Sequence, residues 1–290
     1  MFILYTEGCI TMVLSGITVY PVKGCAGIAV DRAFVDSRGL AHDRRWMIVT
    51  IPDGTFVSQW TVPALAQIRT AYEGEMLRLS APGGSDLLIP VTGSPGRVAE
   101  VTVHGHTCAA VDHGDRVAEW IERALRISGR LVRMVDTFER LVPSRAVRGA
   151  QTGFADAFPF LVTNEASLED LNTRTAARVG VGVTMDRFRP NLVVDGSCTP
   201  YEEDQWSRFR IGTIEFVGER PCTRCSVTTV NQQTAERGKE PLATLATYRK
   251  QPDGGVTFGL NATHRWIGEL RVGMSVEVIE RTDDADAVHK

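Results

Sequence analysis

The sequence predicts a mainly β (α+β) chain, a smaller β-rich N-terminal domain followed by a β-barrel with flanking helices. Three observations point there. Short runs of alternating or β-branched residues, bounded by Gly, Pro and Asp, recur along the chain, while helical periodicity appears in only a few places. Many strands with few helices argue for a barrel core decorated by helices. A chain of 290 residues ordinarily forms one large or two medium domains, and a polar, Arg-rich stretch over residues 142–152 separates two patterned halves.

The first half, residues 12–135, opens with Ile17-Thr18-Val19-Tyr20. Trp46-Met47-Ile48-Val49, Met76-Leu77-Arg78-Leu79 and Val101-Thr102-Val103 follow. Pro52-Asp53-Gly54 and Pro82-Gly83-Gly84 interrupt them as turns, so these runs read as antiparallel strands joined by hairpins. Val117, Trp120, Ile121 and Leu125 then recur at helical spacing. In the second half, residues 136–285, Asn164 or Thr163 reads as the N-cap of a helix running through Leu168 and Leu171. Strands are expected at Leu192–Asp195, Arg208–Ile211, Ile214–Val217, Ser226–Val230 and Ser275–Glu280. No internal repeat and no low-complexity segment interrupts this pattern.

Composition narrows the function class. Hydrophobic residues at 43% and charged ones at 23% are ordinary for a globular protein. A net charge of -3 gives no reason to expect a nucleic-acid partner. Six cysteines in so long a chain do not form a disulfide scaffold, which points to a reducing, cytoplasmic setting. Met1 to Glu7 has an acidic residue and no basic region, so it is a poor secretory leader. It is also too short to span a bilayer, so no membrane anchor is expected. Met12 is a candidate for the natural start.

The most informative stretch is Pro221-Cys222-Thr223-Arg224-Cys225-Ser226-Val227-Thr228-Thr229-Val230. Thiolate is a soft metal ligand, and a cation beside a thiol favours the anion. Arginine offers a fork of donors matched to phosphate. The combination suits a metal held inside a phosphorylated organic cofactor. Three other readings compete. A structural zinc site needs a second pair, which Cys9, Cys25, Cys108 and Cys198 do not form. A thioredoxin-like dithiol belongs at the start of a helix, whereas the β-branched run after Cys225 reads as strand. Two buried structural cysteines remain open.

Basic residues are spread along the chain in a way no local helix scheme explains. Lys23 follows Pro21-Val22 in an extended segment, with Gly24 and Gly27 permitting close backbone approach. Arg44 and Arg45 precede Trp46. Arg187 and Arg189 flank Phe188, so an extended segment would place both on one face and Phe188 in the core. An anionic ligand held between distant segments accounts for all of them.

Taken in order, the blocks Tyr20-Pro21-Val22-Lys23-Gly24-Cys25, His42-Asp43-Arg44-Arg45-Trp46, Arg187-Phe188-Arg189-Pro190-Asn191, Tyr201-Glu202-Glu203-Asp204-Gln205-Trp206, the Cys222–Cys225 motif and Glu240-Pro241-Leu242 resemble the MOSC family. The resemblance is to its amidoxime-reducing branch, with an N-terminal β-barrel domain, and covers nearly the whole chain. It implies a molybdenum–molybdopterin cofactor between two domains, the metal ligated by Cys225, with Cys222 not a ligand. It also implies cofactor contacts at Lys23, Gly24, Arg44, Asp156, Ala157, Arg189, Thr223, Arg224 and Asn261. Gly24 departs from the serine common in relatives, which leaves only its backbone N–H. The implied activity is reduction of small N-hydroxylated substrates by oxygen-atom abstraction at a Cys-ligated molybdenum centre. The chain carries no cysteine-rich ferredoxin segment, so the implied electron source is a separate protein of ferredoxin, flavin or cytochrome b5 type. Sulfur relay through a Cys225 persulfide, and cofactor carriage without turnover, are the alternatives.

Overall fold

The computed structural model describes residues 11–93, 96–144 and 146–282, and the alternating runs within them fold into four sheets. The expectations about the first residues, and Cys9 with them, fall outside the described residues. The largest sheet has eight strands. Their spatial order is Val276–Arg281, Trp206–Ile211, Ile214–Thr223, Thr257–His264, Phe160–Asn164, Leu192–Asp195, Val13–Val19 and Ile28–Val30. Neighbours are antiparallel except Phe160–Asn164 beside Leu192–Asp195. A parallel pair needs a crossover, and the helix Glu165–Val179 supplies it. Asn164 is its N-cap, accepting from Ser167 N–H at 2.7 Å, and Gly180, at φ 81°, ends it.

The eight-stranded sheet curls until its ends meet. Leu14 N–H donates to Met274 O and Val276 N–H to Met12 O, each at 2.8 Å, which joins the first strand to the approach of the last. Leu14, Ile17, Phe160, Val162, Trp206, Phe209, Phe216 and Leu260 fill the interior. Phe160 meets Phe216 edge-on at 5.1 Å, and Phe209 stacks on Phe216 at 5.1 Å. The fold is therefore mainly β with a barrel core, as the patterning predicts.

In the N-terminal half, Trp46–Thr50, Gly129–Met134, His106–Asp112 and Val98–Val103 form a second sheet, whose first two strands are buried on both faces. Trp46 and Ile48 face a core containing Leu65, Leu77, Trp120 and Ile121, while Met47 and Val49 face Val101, Cys108 and Phe154. Period-two alternation requires that split. The helix Asp115–Leu125 buries Val117, Trp120, Ile121 and Leu125, the residues its spacing singles out.

The two halves interlock. Residues 13–30, although early in sequence, contribute two strands to the barrel, and Arg32–Asp36 pairs with Gly268–Arg271. Hydrophobic periodicity assigns faces, and it carries no information about which distant strand completes a ladder.

Two local expectations are corrected. Ser226–Thr229 is a one-turn 3-10 helix, not a strand. Thr228 Oγ1 donates to Cys225 O at 3.0 Å and Thr229 Oγ1 to Ser226 O at 2.7 Å. The hydroxyls satisfy the turn's own carbonyls, which overrides the β preference of threonine. The Arg187–Arg189 segment is not extended either. Met185–Arg187 is a 3-10 turn and Arg189 lies at φ 57°. Phe188 is still fully buried, stacked on Phe258 at 3.8 Å, and that packing bends the chain around it.

Candidate functional site

The strand Ile214–Thr223 delivers the Cys-x-x-Cys motif to a cleft of about 300 Å³ between the barrel and the N-terminal half. Its pairing with Thr257–His264 shifts register twice, between Gly218 and Arg220 and between Pro221 and Thr223. Such irregularities re-aim side chains, and the sheet pairing ends at Thr223. Arg224 N–H then donates to Val256 O at 2.7 Å, and Cys225 takes the N-cap position of the 3-10 turn with its residue exposed in the cleft. Cys222 and Arg224 also line the cleft. Thr223, on the alternate face, lies against Gly255 and does not.

Among the described residues, four basic side chains line the cleft, Lys23, Arg44, Arg189 and Arg224, against a single carboxylate, Asp156. Lys23 is only 7% exposed and sits in a turn after Val22, not in the extended segment expected, and its backbone N–H donates to Trp46 O at 2.8 Å. Its Nζ donates to Phe154 O at 2.9 Å and pairs with Asp156. Burial pushes its pKa down, with Asp156 opposing. For Asp156 desolvation favours the neutral form, but Lys23 and then His104 outweigh it and hold the carboxyl well below the usual carboxylate range. The Asp156 side chain is nevertheless 70% exposed, so solvent screens the pair and it orients more than it stabilises. Arg140, 4% exposed, fixes the loop that carries Asp156. It donates to Gly153 O at 2.9 Å, Ala155 O at 2.5 Å and Asp156 O at 3.1 Å.

Arg44 and Arg189 both lie over the Tyr20 ring, at 4.5 and 4.3 Å from its centroid. Burial pushes the Tyr20 phenol up to about 12, so the ring between them stays neutral. Arg44 donates to Asp43 Oδ2 at 2.6 Å, to Asn191 Oδ1 at 3.0 Å and to Arg189 O at 3.2 Å. That last bond helps hold Arg189 in the left-handed region, which costs an L-residue about 1–2 kcal/mol. Two guanidinium nitrogens, Arg189 Nη2 and Arg224 Nε, are buried without a hydrogen-bond partner. An unsatisfied buried donor costs about 1–3 kcal/mol, more when charged, so both are poised for an anionic acceptor.

The rest of the wall comes from loops. His104 Nε2 lies 3.0 Å from Asp156 Oδ1, and its ring packs on Phe56 at 4.6 Å. Gln59, 1% exposed, donates to Gly24 O at 2.7 Å and exchanges bonds with Gln232 at 2.9 Å each way. Gly24 lies at φ 85°, where any other L-residue is strained, which accounts for glycine there. Trp60, 51% exposed, forms a lip.

The cleft therefore gathers Lys23, Gly24, Arg44, Asp156, Ala157, Arg189, Arg224, Cys225 and Asn261, and leaves out the Thr223 side chain. Gln59, His104, Arg140 and Asn191 were not singled out as site residues by sequence. Asn191 stands two residues after Arg189 and His104 just before a turn glycine, Gly105, but neither position reveals a long-range contact. Among the described residues no group of three or more His, Cys, Asp or Glu could hold a metal. The Cys222–Cys225 pair thus lacks the further protein ligands of a structural zinc site.

Residues 11–128 match the MOSC N-terminal beta barrel domain, and residues 150–277 match the MOSC domain. The chain belongs to the MOSC family. This MOSC protein is 37% identical to mitochondrial amidoxime-reducing component 1 of Mus musculus, over 90% of this chain and 80% of that protein. It is 34% identical to mitochondrial amidoxime reducing component 2 of Bos taurus, over 90% of this chain and 81% of that one. Molybdenum cofactor sulfurase of Oryza sativa subsp. japonica is 34% identical over 85% of this chain, which spans 32% of the sulfurase. Among the described residues no helix of this MOSC protein is long and apolar enough to cross a membrane.

Proposed function

We propose that this MOSC protein is a molybdenum-cofactor-dependent reductase of small N-hydroxylated compounds, such as amidoximes and hydroxylamines, fed with electrons by a separate protein. The observation that carries the reading is one cleft combining an accessible thiol, Cys225, with buried guanidinium nitrogens that lack partners. That donor set fits a molybdopterin: thiolate suits the metal, and guanidinium suits phosphate and other anionic acceptors. Similarity to amidoxime-reducing components along nearly the whole chain supports the reductase branch.

In this reading Cys225 holds the metal, and Lys23, Gly24, Arg44, Asp156, Ala157, Arg189, Arg224 and Asn261 hold the organic part. Thr223 contributes through its backbone. The bound cofactor supplies the two-electron chemistry. The protein supplies placement and charge. Arg44 and Arg189, fixed on Tyr20, present positive charge without rearranging. Phe56, Trp60 and Phe158 give the substrate an apolar wall and exclude water. His104 Nε2 and Asp156 Oδ1, 3.0 Å apart, place a hydrogen-bonding pair at the exposed side of the cleft.

The test is turnover by purified, molybdenum-loaded protein given a reduced dye or a surrogate electron-transfer protein. A simple N-hydroxyamidine should be converted to the amidine. Without a donor, about one product per molybdenum is the ceiling, since one centre stores one two-electron load. A molybdenum-replete sample that never reduces such compounds sinks the proposal. The exposed Cys225 thiol and the similarity to a sulfurase favour one second reading, sulfur relay. Cyanide-labile sulfur on Cys225 in that same inactive sample would establish it.

A further inference from the structure

Cys222 has no part in the chemistry described so far, yet it shares the cleft with the residues that do. Alternation along the strand end puts Cys222 and Arg224 on one face and Thr223 on the other. Arg224 Nη1 donates to Cys222 Sγ at 2.9 Å, and Nη2 donates to Phe188 O at 2.7 Å. The backbone beneath is fixed by the bond to Val256 O, and the guanidinium carbon lies 5.7 Å from the Phe188 ring. Nε remains, buried and without a partner. Each arm of the guanidinium is thus tethered, one to a sulfur and one to a carbonyl. A planar group held at both arms cannot rotate, and the directions of its other N–H groups are set.

We propose that Cys222 is a positioning residue for Arg224. Its sulfur locks the guanidinium so that a fixed cation lines the cleft for an anionic group of its ligand. The Cys-x-x-Cys motif then divides its labour, with Cys225 facing the metal and Cys222 holding the cation between them. Neither a dithiol nor a second ligand is required of it. The identity of the ligand, a pterin cofactor, rests on the reading under Proposed function, whereas the tether is a contact within the protein. Cys222 is only partly buried, so removing its sulfur leaves no sealed cavity and the change reports on Arg224.

The experiment measures pterin bound per chain after gel filtration, as its fluorescent oxidation product, in protein made where the cofactor is available. Loss of one hydrogen bond to the guanidinium should weaken retention about threefold to tenfold in Cys222→Ala. Cys222→Ser, whose hydroxyl also accepts, should recover most of the loss. In an Arg224→Ala background, Cys222→Ala should add nothing, because the group it positions is gone. Melting temperatures of wild type and the four variants confirm that folded chains are compared. Retention by Cys222→Ala equal to wild type overturns the proposal, as does a full additional loss in the Arg224→Ala background. Wild-type protein that carries no pterin overturns the cofactor reading itself, a result distinct from either.

Discussion

Cys225 and Arg189 line the same cleft, and each fails differently when removed. Cys225→Ala deletes a side chain that is exposed and fills no core, so melting should be unchanged while molybdenum content and turnover are lost. Cys222→Ala should turn over in proportion to the pterin it keeps. Equal abolition in both variants, measured per bound pterin, would restore a dithiol or zinc reading. Arg189→Ala removes a guanidinium with one buried, unpartnered nitrogen. A charge-assisted bond to phosphate contributes roughly 1.5–3 kcal/mol, so pterin retention should fall at least tenfold. Unchanged retention would remove Arg189 from the ligand site. At this scale the sequence was informative wherever chemistry is written into residue type. A thiol, a guanidinium and an amine announce what they can bind. Gln59 and Arg140 announce nothing, because their roles consist of contacts to backbone atoms far along the chain.

The crossover helix Glu165–Val179 is anchored to the short 3-10 turn Glu202–Gln205 through a buried carboxyl. Glu203 is fully buried and accepts from Asn164 Nδ2 at 2.5 Å and from Ser167 Oγ at 3.0 Å. Burial, helped by Asp204, pushes its pKa up to about 8, against roughly 4.3 in an unfolded chain. Between those values the folded state keeps a proton that the unfolded state has released. This contribution is therefore fully present below the unfolded pKa, falls as pH rises, and levels off above about 8. The slope is at most about 1.4 kcal/mol per pH unit. Glu203→Gln mimics the protonated form, so relative to wild type it should gain stability steadily from about pH 5 to about pH 8. Parallel melting curves for the two proteins across that range would show that Glu203 is ionised in the fold. The elements themselves were largely legible. The Asn164 cap and the Val117–Leu125 face follow from local pattern. The turn at Ser226–Thr229 was not, since threonine hydroxyls bonding their own turn carbonyls leave the same letters as a strand.

Across the whole molecule, the cleft depends on how the N-terminal half is held against the barrel. Gln59 and Gln232 exchange amide bonds at 2.9 Å, and Gln67 Nε2 donates to Gln233 O at 3.0 Å. Arg237 donates to Trp60 O and lies 5.1 Å from that ring. The segment that follows the Cys225 turn is thus fastened to the far wall of the cleft. Gln59→Ala leaves Gly24 O and Gln232 Oε1 without their donor and one Gln232 N–H without its acceptor, and should cost about 1–3 kcal/mol of stability. Thermal melts of Gln59→Ala, Gln232→Ala and the double variant provide the check. Additive losses would show that the pair is not coupled.

The strand Val13–Val19 pairs at once with Ile28–Val30 along one edge, but its other edge finds a partner only at Leu192–Asp195, with Val13 opposite Asp195. Protein synthesis adds about 5–20 residues each second. Between the two strands a ribosome therefore works for roughly ten to thirty seconds, while that edge of the first lies made but unpaired. An apolar strand with an open edge invites pairing with other chains. Messages truncated between those points should accordingly yield aggregates that occupy chaperones, instead of a smaller protein with partial activity.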